Sequence, residues 1–187
     1  SYIPKYFSSY IDKCKLPNFT LLVARNNEIA HLSSQGFSSI EDNKPISNDS
    51  IYRFYSMTKP ITSVAIMMLY EKGLLRLEHE VSRYLPEFKD IKVWKEGTIE
   101  NYKTRPPSQP MLIKDLLTHT SGLSYGFMTG HPAIKLYTTS GIASAKNSKT
   151  RIEMDLEEFS YTAASLPLLF DPGSRWHYSI SIDILGR

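Results

Sequence analysis

The sequence is poor in the features that mark several common classes of protein. It contains one cysteine, Cys14, so it cannot form an internal disulfide or a cysteine-based metal site. No apolar run approaches the ~20 residues that a membrane-spanning helix requires. The net charge is only +3 and the basic residues are scattered, which argues against nucleic acid as a partner. The histidines lack ligand spacing, and we expect no metal and no cofactor.

The length and composition fit a globular protein. With 187 residues, the chain suits one domain or a large piece of one. The apolar fraction of 41% is sufficient for a packed core. No signal peptide is visible at Ser1, which favours a cytoplasmic over a periplasmic location.

The spacing of apolar residues predicts an α+β chain in two parts. The first part, residues 1–50, is expected to hold an amphipathic helix, a hairpin and a loop. The helix is placed over residues 2–14. The hairpin has strands over 19–24 and 29–32 around the turn Asn26-Asn27, and the loop covers residues 36–50. The second part, residues 51–187, is expected to be mostly helical. Its segments are an irregular excursion over 89–110, a short helix over 111–117, weak signals over 125–150, a helix opened by the Asp155–Glu158 capping pattern, and the start of another helix over 176–187.

The strongest helix signal covers residues 61–69, which are apolar on almost every face. Such a helix is expected to be central and buried. Pro60 fits its first turn, where a missing N–H does no harm, and Gly73 fits the position just after its end. The helix is therefore predicted to begin near Ser56 or Met57.

A Ser-x-x-Lys motif, Ser56 and Lys59, opens this helix and occurs once in the chain. The i, i+3 spacing places the hydroxyl and the amine on one face. The positive end of the helix favours a developing oxyanion and a deprotonated lysine, as a serine nucleophile needs. The motif alone is expected about once by chance in a chain of this length, and an N-cap serine with a solvated lysine is the alternative interpretation.

Two further motifs could carry chemistry. Tyr178 lies in an aromatic run after a Pro-Gly turn and could act as a base if cations lower its pKa; it could equally be a core aromatic. Residues 122–126 match Gly-x-Ser-x-Gly, the nucleophile elbow of α/β-hydrolases, around Ser124. The elbow requires a strand before the serine and a helix after it, and neither is predicted here. We therefore expect no catalytic role for Ser124, nor for Asp183, which could cap a helix or bind Arg187.

Three blocks together resemble the serine β-lactamase and penicillin-binding-protein superfamily. They are residues 56–88, residues 116–123 (Leu-Leu-Thr-His-Thr-Ser-Gly-Leu) and residues 172–187. The last block, with Tyr-Ser-x-Ser-x-Asp-x-Leu-Gly-Arg, is most similar to the class C β-lactamase-like esterases known as family VIII carboxylesterases. Ile180 stands where true β-lactamases and penicillin-binding proteins usually carry an asparagine, which favours ester hydrolysis or acyl transfer.

This resemblance implies a β-lactamase/transpeptidase-like α+β fold, of which the chain holds the N-terminal half. It implies an acyl-enzyme on Ser56, with Lys59 and Tyr178 sharing the proton transfers, and a small ester or amide substrate. Tyr55, Trp176 and Ser179 are the expected substrate-binding residues, and His119 is expected to be structural. A β-lactamase or penicillin-binding peptidase is the alternative activity.

The resemblance also implies parts that these residues do not supply. The superfamily takes a second oxyanion N–H from a late strand, and no such strand is predicted after Tyr178. With the later strands absent, the sheet is expected to keep an unpaired edge that favours self-association or a complementing chain. An inert fragment that needs a complementing C-terminal half is therefore a further alternative.

Overall fold

The computed structural model describes residues 2–142 and 154–187. It divides the chain into two compact units, Ser1–Phe54 and Tyr55–Arg187, close to the predicted division after residue 50. Within the described ranges, no helix is both long enough and apolar enough to cross a membrane.

The first unit contains the predicted helix and hairpin. The hairpin turns at Asn26 and Asn27, whose φ angles of 52° and 63° suit the tight turn that asparagine tolerates. The second strand continues well past Leu32, so the loop predicted over residues 36–50 is partly wrong. Gly36 pairs with Asn18, and Phe37 and Ser39 pair with Pro45 and Lys44. The elements are α1 (Tyr2–Asp12), β1 (Asn18–Arg25), β2 (Glu28–Ser39) and β3 (Lys44–Pro45), and the antiparallel sheet has the order β1-β2-β3.

The second unit begins with the nucleophile helix. A 3-10 turn, Tyr55–Met57, leads into α2, Thr58–Glu71. After the helix, Gly73 adopts φ 69° and its N–H donates to the Tyr70 carbonyl, while the Leu74 N–H donates to the Leu69 carbonyl. These two bonds form a Schellman motif, which confirms the predicted end of the helix.

The predicted burial of α2 is wrong for this chain. None of its side chains is fully buried, and Ile61, Val64 and Met68 are 64%, 59% and 51% exposed. The apolar composition of a helix sets its tendency to be covered, but burial also requires packing partners on every side. In the part of the chain that the structure describes, these side chains keep large solvent-facing areas.

The irregular excursion predicted over residues 89–110 is also wrong in part, because it contains a second hairpin. Strands β4 (Val93–Gly97) and β5 (Tyr102–Arg105) pair antiparallel. Thr98 and Asn101 exchange backbone hydrogen bonds across the turn. The prolines that argued against regular structure all lie beyond β5, so they end the hairpin rather than prevent it.

In its described residues, the second unit also contains two 3-10 helices, Val81–Arg83 and Pro86–Asp90, and the helices α3 (Ile113–Leu117), α4 (Ile134–Thr139), α5 (Leu156–Ser165) and α6 (Ser181–Leu185). The capping box predicted at α5 is confirmed, because Asp155 Oδ1 accepts from the Glu158 N–H at 2.8 Å. The weak signals over 125–150 lie partly outside the described residues. A single core of fully buried side chains, including Leu116, Leu123 and Ile180, underlies the candidate site.

Candidate active site

Ser56 lies in the 3-10 turn immediately before α2, and its side chain is exposed. The Tyr178 hydroxyl donates a hydrogen bond to Ser56 Oγ at 2.6 Å, although the two residues are 122 positions apart. The preceding residue, Tyr55, has a φ of 47°, a left-handed conformation that is strained for a tyrosine. Such strain persists only where the surrounding structure imposes it, and it is enriched at functional sites.

Tyr178 is positioned by a histidine and a buried polar network. Its ring lies 4.7 Å from the ring of His119. The Nδ1 atom of His119 accepts from the Ser179 N–H at 3.2 Å, which ties the two segments together. Behind them, the hydroxyls of Ser179, Ser181 and Ser121 form a chain with spacings of 2.6 and 2.8 Å. These contacts are those expected of the structural role predicted for His119, and that role stays a prediction.

Lys59 lies one helical turn from Ser56, but its amine contacts other groups. Lys59 Nζ donates to the Tyr125 hydroxyl at 2.7 Å and lies 3.9 Å from Asp183 Oδ2. It also lies 5.3 Å from the ring centres of both Tyr125 and Tyr178. The side chain is only 16% exposed, so its charge is held among two aromatic faces and a carboxylate.

The expected substrate-binding residues occupy different environments. Tyr55 and Trp176 are 78% and 66% exposed, and the Trp176 ring stacks toward Tyr178 at 6.5 Å. Ser179 is fully buried, and its hydroxyl is bonded within the serine chain rather than presented to solvent. Ile180 is also fully buried, because its side chain packs into the core. The structure therefore brings Tyr55 and Trp176 to the surface around Ser56, but not Ser179.

Two residues of the site, Tyr125 and Asp183, were missed at the level of sequence. Tyr125 donates to Asp183 Oδ2 at 3.2 Å while it accepts from Lys59. Asp183 neither caps α6 nor binds Arg187, since the cap position is Ile180 and Arg187 pairs with Glu157 at 3.4 Å. Asp183 lies in one of the three family-like blocks and Tyr125 lies two residues beyond another, but motif spacing alone does not show which residues meet across the fold.

Burial and charge set the protonation of two neighbouring groups. Burial, followed by the Asp183 charge, raises the pKa of Tyr125 well above its ordinary value, so this phenol stays neutral. Burial, followed by the Lys59 cation, lowers the pKa of His119, so its imidazole is neutral at physiological pH. Both residues therefore act as uncharged hydrogen-bonding partners beside Lys59.

Ser124 occupies a different site. It is fully buried, and α3 and a turn, rather than a strand, precede it. Its hydroxyl lies 2.9 Å from Nε2 of His177, a contact that the sequence did not predict. Across residues 2–142 and 154–187, no carboxylate hydrogen-bonds to the His177 ring. The pair therefore lacks both the access and the acidic partner of a nucleophile elbow.

The arrangement around Ser56 has the parts of a serine nucleophile with a non-histidine base. These parts are a hydroxyl at the start of a helix, a phenol in contact with it and a lysine beside the phenol.

Comparison with known proteins identifies the family. The family model described as Beta-lactamase matches residues 3–187. Esterase EstB of Burkholderia gladioli is 35% identical over 181 residues, which are 96% of this chain and 42% of EstB. Penicillin-binding protein 4* of Bacillus subtilis is 28% identical over 87% of this chain and 29% of its own length. The structure of EstCE1, described as a hydrolase with promiscuous acyltransferase activity, superposes with a TM-score of 0.77 at 30% identity, over 96% of this chain and 43% of EstCE1.

The chain belongs to the β-lactamase family. The predicted resemblance and the β-lactamase/transpeptidase-like α+β fold are confirmed. The chain spans less than half the length of EstB and of EstCE1.

Proposed function

We propose that the protein is a serine hydrolase of the esterase type, which forms an acyl-enzyme on Ser56. The observation that carries this proposal is the 2.6 Å hydrogen bond between Tyr178 and the exposed Ser56 hydroxyl, with Lys59 held beside the phenol. The similarity to EstB, an esterase, and to EstCE1, a hydrolase, supports ester substrates.

In the proposed reaction, Ser56 Oγ attacks the carbonyl carbon of an ester. Its proton passes to Tyr178, which must first be in the phenolate form, and Lys59 stabilises that phenolate through its positive charge. Collapse of the tetrahedral intermediate breaks the bond to the leaving alcohol, which takes the proton from Tyr178. A water molecule then repeats the sequence at the acyl-enzyme and releases the acid, or an alcohol does so and accepts the acyl group.

A row of exposed and half-buried aromatic side chains suits an apolar acyl or alcohol group. Trp176 stacks toward Tyr178, Tyr178 toward Tyr125, and Tyr125 on Phe127, with ring separations of 6.5, 5.6 and 4.8 Å. This row of rings beside Ser56 offers a continuous apolar face.

The test is a fluorophosphonate probe, which reacts with activated serines, followed by peptide mass spectrometry of the purified protein. We expect one adduct, on Ser56. An adduct on Ser124, or no adduct while nitrophenyl esters are still hydrolysed, would contradict the assignment.

A β-lactam-reactive protein is the second candidate, because Penicillin-binding protein 4* is among its relatives. The buried apolar side chain of Ile180, at the position where the superfamily usually presents an amide, argues for the esterase instead. Incubation with a fluorescent penicillin separates the two, since a stable covalent adduct on Ser56 would favour the second candidate.

The third candidate is that residues 1–187 are inactive without a complementing segment. The exposed apolar side chains of α2, directly behind Ser56, favour it. The matching measurement is nitrophenyl-ester turnover by residues 1–187 alone. Turnover comparable to that of a complete esterase would exclude this candidate.

A further inference from the structure

Lys59 belongs to the proposed machinery, although its amine hydrogen-bonds to a residue other than Ser56. Its amine is directed to the Tyr125 hydroxyl at 2.7 Å, and Tyr125 in turn donates to Asp183 at 3.2 Å. The amine also lies 3.9 Å from the same Asp183 oxygen, which closes a triangle of three polar groups.

We infer that Tyr125 and Asp183 are positioning residues that hold the Lys59 amine against the Tyr178 ring. This inference rests on the proposed function of Ser56 and Tyr178. Tyr125 accepts from the amine with one lone pair and donates its own proton to the carboxylate, so it links the cation to the anion. Asp183 provides the negative charge that balances the cation.

The orientation of each partner fits this role. Tyr125 is stacked on Phe127 at 4.8 Å, which fixes its ring and the direction of its hydroxyl. Asp183 lies in the first turn of α6, whose neighbours Ile182 and Ile184 are buried. Both residues are therefore held by the core of the unit, and the amine they bind has little freedom to turn away from Tyr178.

The charge balance around Lys59 gives the inference a measurable consequence. The titratable groups that face it are Tyr125, Tyr178, Asp183 and His119, and Asp183 contributes the carboxylate of this set. Replacement of Asp183 by asparagine leaves the cation without a counter-charge. We therefore expect the pH–rate profile of Asp183→Asn to differ from that of the unmodified protein.

The experiment compares Tyr125→Phe and Asp183→Asn with the unmodified protein by the rate of Ser56 acylation, with a nitrophenyl ester as the probe. Tyr125→Phe removes one hydrogen bond to a charged amine, so we expect an acylation rate about tenfold to a hundredfold lower, with little change in KM. Asp183→Asn should lower the rate and also displace the pH profile. Tyr137→Phe and Glu157→Gln are the matched controls, because they remove a hydroxyl and a carboxylate that do not contact Lys59.

The outcomes separate this inference from the proposed function. If the unmodified protein is not acylated on Ser56, the proposed function is wrong. If Ser56 is acylated but Tyr125→Phe and Asp183→Asn match their controls in rate and pH profile, the positioning role is wrong. Thermal melts of all four variants show whether each is folded. A loss of rate that parallels the loss of melting temperature would also overturn the inference.

Discussion

Ser56 and Ser124 are two serines with a base nearby, in opposite surroundings. Ser56 Oγ accepts from Tyr178 at 2.6 Å, and Ser124 Oγ lies 2.9 Å from His177. The first serine is exposed at the start of a 14-residue helix, whereas the second is fully buried behind a turn. Judged by residue types alone, the Ser–His pair looks more like a catalytic pair, so access and charge must distinguish them.

The charged groups near Tyr178 and near His177 also distinguish Ser56 from Ser124. The partner of Ser56 is Tyr178, and the Lys59 amine lies 5.3 Å from the centre of its ring. The partner of Ser124 is a histidine whose pKa is lowered by burial and, second, by Arg175. In addition, the Ser124 hydroxyl donates to the carbonyl of Tyr125 at 3.2 Å. A hydroxyl bonded on both sides and closed to solvent stabilises the fold rather than reacting.

Ser56→Ala should have the largest effect of the substitutions that test this comparison. Removal of the nucleophile is expected to lower ester turnover by about 10⁴-fold or more and to abolish fluorophosphonate labelling. The measurement is steady-state turnover of a nitrophenyl ester, with labelling in parallel. Persistent labelling of Ser56→Ala would show that another serine reacts.

Tyr178→Phe should have the next largest effect. It removes the group that contacts Ser56 while it keeps the ring that packs 4.7 Å from His119, so the fold should be retained. Loss of a general base typically lowers the rate by about 10² to 10⁴-fold. Single-turnover acylation measures this directly, and an unchanged rate would assign the proton transfer to Lys59 alone.

Ser124→Ala should affect stability and leave the chemistry intact. We expect labelling of Ser56 at the unmodified rate, because Ser124 lies outside the exposed site. The free energy of unfolding should fall by about 1 to 2 kcal/mol, since His177 loses a hydrogen-bond partner in a partly buried setting. Urea denaturation gives this value. A loss of labelling with normal stability would instead favour the nucleophile-elbow interpretation.

Local features of the fold were predictable because they depend on a few neighbouring residues. The turn at Asn26-Asn27, the end of α2 at Gly73 and the Asp155–Glu158 capping box all follow from backbone preferences within four residues. The hairpin β4–β5 was missed because the prolines beyond it dominated the pattern of that segment.

The candidate site was only partly predictable, for a different reason. Ser56 and Lys59 lie on one helical turn, so their spacing indicated them. The contacts of Tyr125 with Lys59 and Asp183, by contrast, join residues 66 and 58 positions apart. Burial was also not predictable from the sequence. Ser179 was expected to bind substrate, yet its hydroxyl is bonded within the chain of serine hydroxyls. Such outcomes depend on tertiary packing, which short motifs do not encode.

His177→Gln should give the smallest effect, and it tests the buried pair through pH. The pKa of His177 is lowered in the folded protein, mainly by burial, whereas in the unfolded chain it returns to about 6.5. The unfolded state therefore binds more protons below about pH 6.5, and the free energy of unfolding should fall as the pH falls through that value. His119 and His131 have pKa values lowered in the same direction, so His177→Gln should weaken this pH dependence without removing it.

Urea denaturation at pH 7.5 and 5.5 measures the difference, and equal slopes in the two proteins would show that His177 is protonated to the same extent folded and unfolded. Because Gln can still donate to Ser124, labelling of Ser56 should be unchanged. The variant therefore distinguishes the structural serine from the reactive one without altering either hydroxyl.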